Sequence, residues 1–328
     1  MVNWGIIGCG NVTEVKSGPA FSKVKDSKLI AVMRRDAVLA EDYAKRHNVP
    51  KFYSKASDLI NDKNINAVYI ATPPASHAEY AIEVIKAGKP VYIEKPMAAN
   101  YPQCLAINKA AEKYKVPVFV AYYRRALPGF LMVKEMIEKG RIGKIRLLQM
   151  QLFKSPSTEE KSGKLSWRVD PVISGAGHFF DLASHQLDYL DYVFGPVQKV
   201  KSIALNQAGL YKAEDFVTAE FLFPGNIVCT GTWSFSVSLD SSRDIIEIIG
   251  DKGSIKFSTF SFEPIIITNE SGRQEFINER PEHVQYNLIE KVVQNLNGKG
   301  ESPSTGVSAA RTSKVMDEVV SEYYKNKK

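Results

Sequence analysis

Apolar residues along the first 122 positions come in short runs, separated by stretches of helical spacing. The runs lie at 4–7, 29–33, 67–71, 91–94 and 118–121, and each is apolar almost throughout. Strands covered on both faces read this way, as in a parallel sheet flanked by helices. Between them, 37–47 and 76–87 repeat apolar residues at helical intervals, and Gly88 stands where the second helix would stop. Strand and helix in alternation predict a doubly wound α/β domain over residues 1–122.

The pattern changes after residue 122. A long extended run covers 144–154, and a helical stretch covers 178–194. Three hairpin signals follow. Pro224-Gly225-Asn226 separates 219–223 from 227–237, Gly250 to Gly253 separates 244–249 from 254–258, and Asn269 to Gly272 separates 264–268 from 274–278. Turn residues between β-rich runs predict an antiparallel sheet, hence an α+β domain over 123–304. Two helical segments, 282–296 and 307–324, close the chain.

Composition narrows the class. A chain of 328 residues is longer than one hydrophobic core usually serves, so two domains are expected. No run of about 18 apolar residues occurs, and no membrane partner is expected. Met1-Val2-Asn3-Trp4 leads straight into a strand instead of a secretory leader. Cys9, Cys104 and Cys229 are few, odd in number and far apart, which suits reduced thiols in a cytoplasm. The net charge of +7 comes from scattered lysines, among them Lys23, Lys25 and Lys28, with Lys325, Lys327 and Lys328 as a basic tail. That scatter argues against a nucleic-acid partner, while a modest positive field suits an anionic cofactor.

Candidate chemistry begins at Gly8-Cys9-Gly10-Asn11-Val12-Thr13, directly after the first strand. Two close glycines allow a tight turn and close approach to a pyrophosphate, although an ordinary strand-to-helix turn also fits. Thr13 replaces the usual third glycine. The second strand ends in Arg34-Arg35-Asp36. An acid at that point would bind the ribose of NAD, whereas arginine accommodates the 2′-phosphate of NADP. NADP is therefore the expected cofactor, with NAD as the alternative. In the competing reading the arginines are solvated and Asp36 starts a helix.

Two further sites stand out. Lys95 follows the strand 91–93 in Glu94-Lys95-Pro96, at the sheet end where such folds bind ligands. A lysine there can hold or protonate a substrate oxygen, or it can be an exposed residue before a proline turn. Asp181 and His185, spaced four apart, share one helix face. They read as a tuned acid/base pair or as a plain surface pair. His178, Asp181 and His185 could in geometry bind zinc, but no further ligands lie near in sequence and no metal is expected.

Taken in order, these motifs resemble the glucose–fructose oxidoreductase / inositol dehydrogenase family (Gfo/Idh/MocA). Gly8-Cys9-Gly10-Asn11 resembles its glycine loop, and Ala71-Thr72-Pro73-Pro74 with His77 its threonine–proline loop beside the nicotinamide. Glu94-Lys95-Pro96 resembles its signature tripeptide. Tyr123-Arg124-Arg125 with Pro128 resembles its entry to the second domain, and Trp167-Arg168 with Gly175 through Asp181, His185 and Asp188 its substrate helix. The resemblance implies a Rossmann domain joined to a domain with a large, mainly antiparallel open sheet. It implies a catalytic group of Lys95, Asp181 and His185. Gly8, Gly10, Asn11, Val12, Arg34, Arg35, Thr72, Pro73, His77, Glu94 and Lys95 would hold the cofactor. Lys95, Arg124, Trp167, Asp181 and His185 would hold the substrate. Segment 305–328 would return to pack on the first domain, and the open sheet face would build a homo-dimer or tetramer. Thr13, Pro74, Ala176 and Ala183 depart from the family's usual residues.

Within that family, Arg34-Arg35-Asp36 looks most like the NADP-dependent dihydrodiol and sugar dehydrogenases. The expected activity is NAD(P)-dependent hydride transfer at a hydroxyl carbon of a sugar, polyol or related small molecule. Two alternatives share the fold: a nucleotide-sensing regulator without turnover, and a redox glycosidase using tightly held NAD.

Overall fold

The structure, a computed structural model, describes residues 1–325. The chain forms two compact units. One comprises Met1–Leu127 with Pro281–Ala310, the other Pro128–Arg280 with the chain from Arg311 on.

The first unit holds six strands: β1 (Val2–Ile7), β2 (Ser27–Met33), β3 (Lys51–Tyr53), β4 (Ala67–Ile70), β5 (Val91–Ile93) and β6 (Val118–Val120). Their order is β3-β2-β1-β4-β5-β6, and every pairing is parallel. The order reverses between β1 and β4, which creates the crevice where such sheets take ligands. Alternate residues feed two cores. Ile7, Val68, Ile70 and Ile93 pack with Leu59, Val84 and Ile107 on one face. Trp4, Ile6, Tyr69 and Tyr92 pack with Phe21, Tyr43, Leu288 and Val292 on the other. Two-sided burial is why these strands read as unbroken apolar runs. β3 gives no such signal because it is three residues long, largely exposed and at the sheet edge.

The second unit holds β7 (Ile145–Phe153), β8 (Lys199–Leu205), β9 (Phe216–Phe223), β10 (Ile227–Ser234), β11 (Arg243–Gly250), β12 (Gly253–Phe257), β13 (Ile265–Asn269) and β14 (Gly272–Phe276). The order is β14-β13-β12-β11-β7-β10-β9-β8, with only β7 and β10 parallel. The three expected hairpins are present as β9–β10, β11–β12 and β13–β14. β10 stops three residues before the expected 237; one further in-register bond, Phe235 N to Asp215 O at 2.8 Å, follows its last residue. The helix His178–Phe194 lies on one sheet face. Phe179 meets Trp233 edge-on at 4.9 Å, and Tyr189 meets Phe257 at 6.0 Å.

Two boundaries differ from the expectation. Of the segment Pro281–Ala310, which groups with the first unit, residues 281–304 were expected in the second domain; Leu288, Ile289, Val292 and Val293 there complete a core of the first unit. The closing helix Gly306–Lys325, expected to pack on the first domain, joins the first unit's core through Ala309 and Ala310. From Arg311 on its polar partners lie in the second unit: Arg311 grips Asp191 at 2.9 and 2.6 Å, and Val319 O accepts from Ser202 Oγ at 2.8 Å. Lys327 and Lys328 of the expected basic tail lie outside the described residues.

Candidate cofactor and substrate sites

At the end of β1 the chain turns sharply. Gly8 N and Cys9 N both donate to Met33 O, at 2.8 and 3.2 Å. Gly8 adopts φ +90°, and a Cβ there would stand 2.6 Å from Thr72 Cγ2 and 2.9 Å from Thr72 N. Conformation and space both demand glycine at this point. Gly10 differs: its backbone is extended, and the nearest atom to an added methyl would be Gly8 O at 3.9 Å. Among the described residues no other non-adjacent atom comes within 4 Å of that methyl position, which leaves the room a pyrophosphate would need. Asn11 is exposed and Val12 half-buried. Thr13, in place of the third glycine, is fully buried, and its Oγ1 donates to Gly10 O at 2.8 Å. The missing glycine is thus replaced by a hydroxyl that braces the turn. Cys9 is buried, which pushes its thiol up to about 11 despite the opposing charge of Arg34. It is an inert filler.

β2 ends at Met33, and Arg34 and Arg35 are exposed. Arg34 Nη1 reaches back to Cys9 O at 3.5 Å. Asp36 Oδ1 accepts from Val38 N at 3.0 Å and Leu39 N at 3.1 Å, so it caps the helix Ala37–Arg46. The acid at this strand end serves the helix, leaving guanidinium groups on the surface.

Two loops follow β4 and β5, and His77 joins them. It is fully buried, with Nε2 2.7 Å from Thr72 O and Nδ1 3.0 Å from Pro96 O. Burial holds its pKa below the usual value, so the neutral ring donates to one of these carbonyls. The motif places His77 among the cofactor ligands. Its buried ring instead shapes the Thr72–Pro73 loop from beneath. Ser76 Oγ adds a bond to Thr72 Oγ1 at 2.8 Å.

Glu94, too, turns its polar atoms to the chain. Its carboxylate is buried, with Oε1 accepting from Tyr69 OH and Gln285 Nε2, both at 2.5 Å. Oε2 accepts from Lys95 N at 3.1 Å, and Tyr92 OH donates to Gln285 Oε1 at 3.0 Å. Burial, reinforced by the Glu94 charge, keeps the Tyr69 phenol protonated and able to donate. Glu94 is therefore an anchor for the backbone of half-buried Lys95. Sequence reasoning missed Gln285, Tyr69 and Tyr92. The one signal is a polar residue in an apolar surrounding. Arg124 is buried, its guanidinium 4.9 Å from the Tyr123 ring centre.

In the second unit Asp181 and His185 lie one helical turn apart. Arg168 Nε donates to Asp181 Oδ2 at 3.2 Å, and its guanidinium sits 4.5 Å above the Trp167 ring. Trp167 and Asp181 are thus brought together by Arg168, a residue not among the expected site residues. His185 is 4% exposed and meets the Phe260 ring edge-on at 5.9 Å. The helix bearing them is fixed at several points. Gln186 accepts from Trp233 Nε1 at 2.6 Å and donates to Thr259 Oγ1 at 3.0 Å. At its start Gly177 N donates to buried Glu214, whose other oxygen accepts from Tyr324 OH at 2.6 Å. Among the described residues no group of three His, Cys, Asp or Glu side chains could hold a metal ion, and no helix is long and apolar enough to cross a membrane.

Comparison with known proteins adds the following. Residues 2–122 match an oxidoreductase family with an NAD-binding Rossmann fold, and residues 130–256 match the GFO/IDH/MocA C-terminal domain. Oxidoreductase P35 of Formosa agariphila is 39% identical over 317 residues, covering 96% of this chain and 97% of that protein. The trans-1,2-dihydrobenzene-1,2-diol dehydrogenase of Bos taurus is 23% identical over 276 residues, covering 84% of this chain and 79% of its own. Among solved structures, a levoglucosan dehydrogenase in complex with NADH and L-sorbose superposes with a TM-score of 0.89 at 22% identity, covering 99% of this chain and 97% of that one.

Proposed function

Because this chain belongs to the Gfo/Idh/MocA oxidoreductase family, we propose that it transfers hydride between NADP and a hydroxyl-bearing carbon of a sugar, polyol or related small molecule. The observation that carries this reading is the turn after β1. It is pinned by Gly8 against Thr72 yet left open above Gly10, at the point where the strand order reverses. The residues present fit a dinucleotide. Gly8, Gly10, Asn11 and Val12 would take its pyrophosphate, and Thr72 and Pro73 its nicotinamide end. NADP is favoured over NAD because Asp36 is committed to a helix cap while Arg34 and Arg35 are exposed.

When bound, the nicotinamide supplies or accepts the hydride. The chain's own task is positioning and proton movement. His185 is assigned the proton transfer to or from the substrate oxygen, Lys95 the holding of that oxygen, and Asp181 the orientation of the group. Glu94 serves Lys95 by fixing its backbone N–H, and Arg168 serves Asp181 by balancing its charge. Ile203, Leu205 and Val228 stand exposed on one face of the second sheet and support assembly of like chains through it.

The test is direct. Calorimetry with NAD and NADP separately, then a screen of sugars and polyols by nicotinamide absorbance, should find tighter NADP binding and turnover. Lys95→Ala should lose most of that turnover. Wild-type rates in Lys95→Ala would sink the assignment, and dinucleotide binding with no turnover would favour a sensing role.

A further inference from the structure

A cavity of about 150 Å³ opens within the second unit, beside the helix His178–Phe194. Lys154, Ser155, Glu160, His178, Leu182 and Phe235 line it. Glu160 and His178 form a fixed pair: Glu160 Oε1 lies 2.6 Å from His178 Nε2. The carboxylate is itself held, since Oε2 accepts from Ser157 N at 2.8 Å and Ser157 Oγ caps the same short helix. Burial raises the pKa of Glu160, but the bonds from His178 and Ser157 outweigh it and leave the group below its usual value. An ionised Glu160 requires a proton on His178 Nε2, which leaves Nδ1 as the ring's remaining polar atom. No hydrogen bond engages that Nδ1 among the described residues.

Lys154 completes the set. It is exposed at the cavity, and no side chain of the described residues bonds or pairs with its ammonium. Both Glu160 oxygens are spent on His178 and Ser157, so the Lys154 ammonium stays available to an incoming anion. Leu182 and Phe235 supply an apolar wall, the surface that the C–H face of a sugar ring covers. The lining therefore offers a cation, an oriented imidazole nitrogen and an aromatic wall at one place.

We propose that this cavity is a recognition subsite for a sugar acid, with Lys154 pairing the carboxylate and His178 Nδ1 hydrogen-bonding a neighbouring hydroxyl. The proposal rests on the hydride-transfer reading above and narrows its substrate class. Glu160 is a positioning residue here: it fixes the ring and its tautomer without touching the ligand.

The full-length protein with saturating NADP is assayed on paired probes, glucuronate against glucose and galacturonate against galactose. Binding of each probe is followed in parallel by calorimetry. The uronates should be preferred, and Lys154→Met should lower the uronate-to-neutral ratio of kcat/KM by at least about tenfold, mainly through KM. His178→Phe should weaken both members of each pair, while Glu160→Gln should raise KM with little change in kcat. Preference for the neutral sugars, or an unchanged ratio in Lys154→Met, would overturn the proposal while leaving hydride transfer standing. Absence of uronate binding overturns it as well. Failure of the protein to bind either dinucleotide would instead remove the underlying reading.

Discussion

The two glycines after β1 invite a paired experiment, because each would fail for a different reason. In Gly8→Ala the new methyl would stand 2.6 Å from Thr72 Cγ2 and 2.9 Å from Thr72 N, at a φ of +90°. The side chain could rotate away, but the backbone nitrogen could not. Overpacking costs about 1–3 kcal/mol and the disfavoured φ about 1–2 more, so Gly8→Ala should lose roughly 2–5 kcal/mol of stability. In Gly10→Ala the backbone is already extended and the closest atom is 3.9 Å away. Its stability should stay within about 0.5 kcal/mol of wild type. If a pyrophosphate lies against Gly10, however, the methyl occupies its place. Dinucleotide binding should then weaken about 10- to 100-fold, or about 1.4–2.7 kcal/mol. Denaturant titration with intrinsic fluorescence gives the first quantity, and calorimetry with NADP and NAD gives the second. Wild-type affinity in Gly10→Ala would refute the placement of the cofactor. Wild-type stability in Gly8→Ala would refute the close approach to Thr72.

Three further outcomes are expected. Arg34→Ala should weaken NADP about tenfold while changing NAD by less than a factor of about three, since only the 2′-phosphate is affected; equal losses for both by calorimetry would exclude that role. Glu94→Gln sets an amide donor against Tyr69 and Gln285 or against Lys95 N, and should cost about 1.5–3 kcal/mol in denaturant unfolding; an unchanged midpoint would show that the carboxylate is not the acceptor. Glu214 gives a pH signature: burial raises its pKa from the ordinary 4.5 to about 7, with Asp215 adding to the rise and the bonds from Tyr324 and Gly177 opposing it. The folded state therefore holds more protons than the unfolded state between these values, so stability falls as pH rises from about 4.5 through 7, by roughly 3 kcal/mol at most. Glu214→Gln should flatten that slope in unfolding measured at pH 5 and pH 8, and an identical slope in the variant would contradict it.

How far the sequence can be read depends on whether the cause is local. Strands such as Val91–Ile93 and Val118–Val120 declare themselves because both faces are buried, and Gly225 at φ +77° marks its hairpin by residue type. Lys95, Asp181 and His185 are visible as motifs. The roles of His77 and Glu94 are not. Motif position makes each a ligand contact, yet each is buried and spends its polar atoms on the chain. Only long-range partners reveal this, as with Gln285, which is 191 residues from Glu94. Arg168 stands beside Trp167 in its motif but gives no sign that it pairs with Asp181 across 13 positions. The division of the last helix at Arg311 likewise depends on Asp191, 120 residues earlier.

The reliance of the first unit on Gln285 and the helix Tyr286–Leu296 bears on how the protein is made. A ribosome releases the six-stranded half long before it releases the side chains that close it. A fragment ending near residue 127 would expose the surface that Leu288 and Val292 cover and leave Glu94 short of a donor. The nucleotide-binding half thus cannot close until the chain is almost fully made, although it is encoded first. Until Tyr286–Leu296 emerges, a nascent chain would carry that apolar face uncovered.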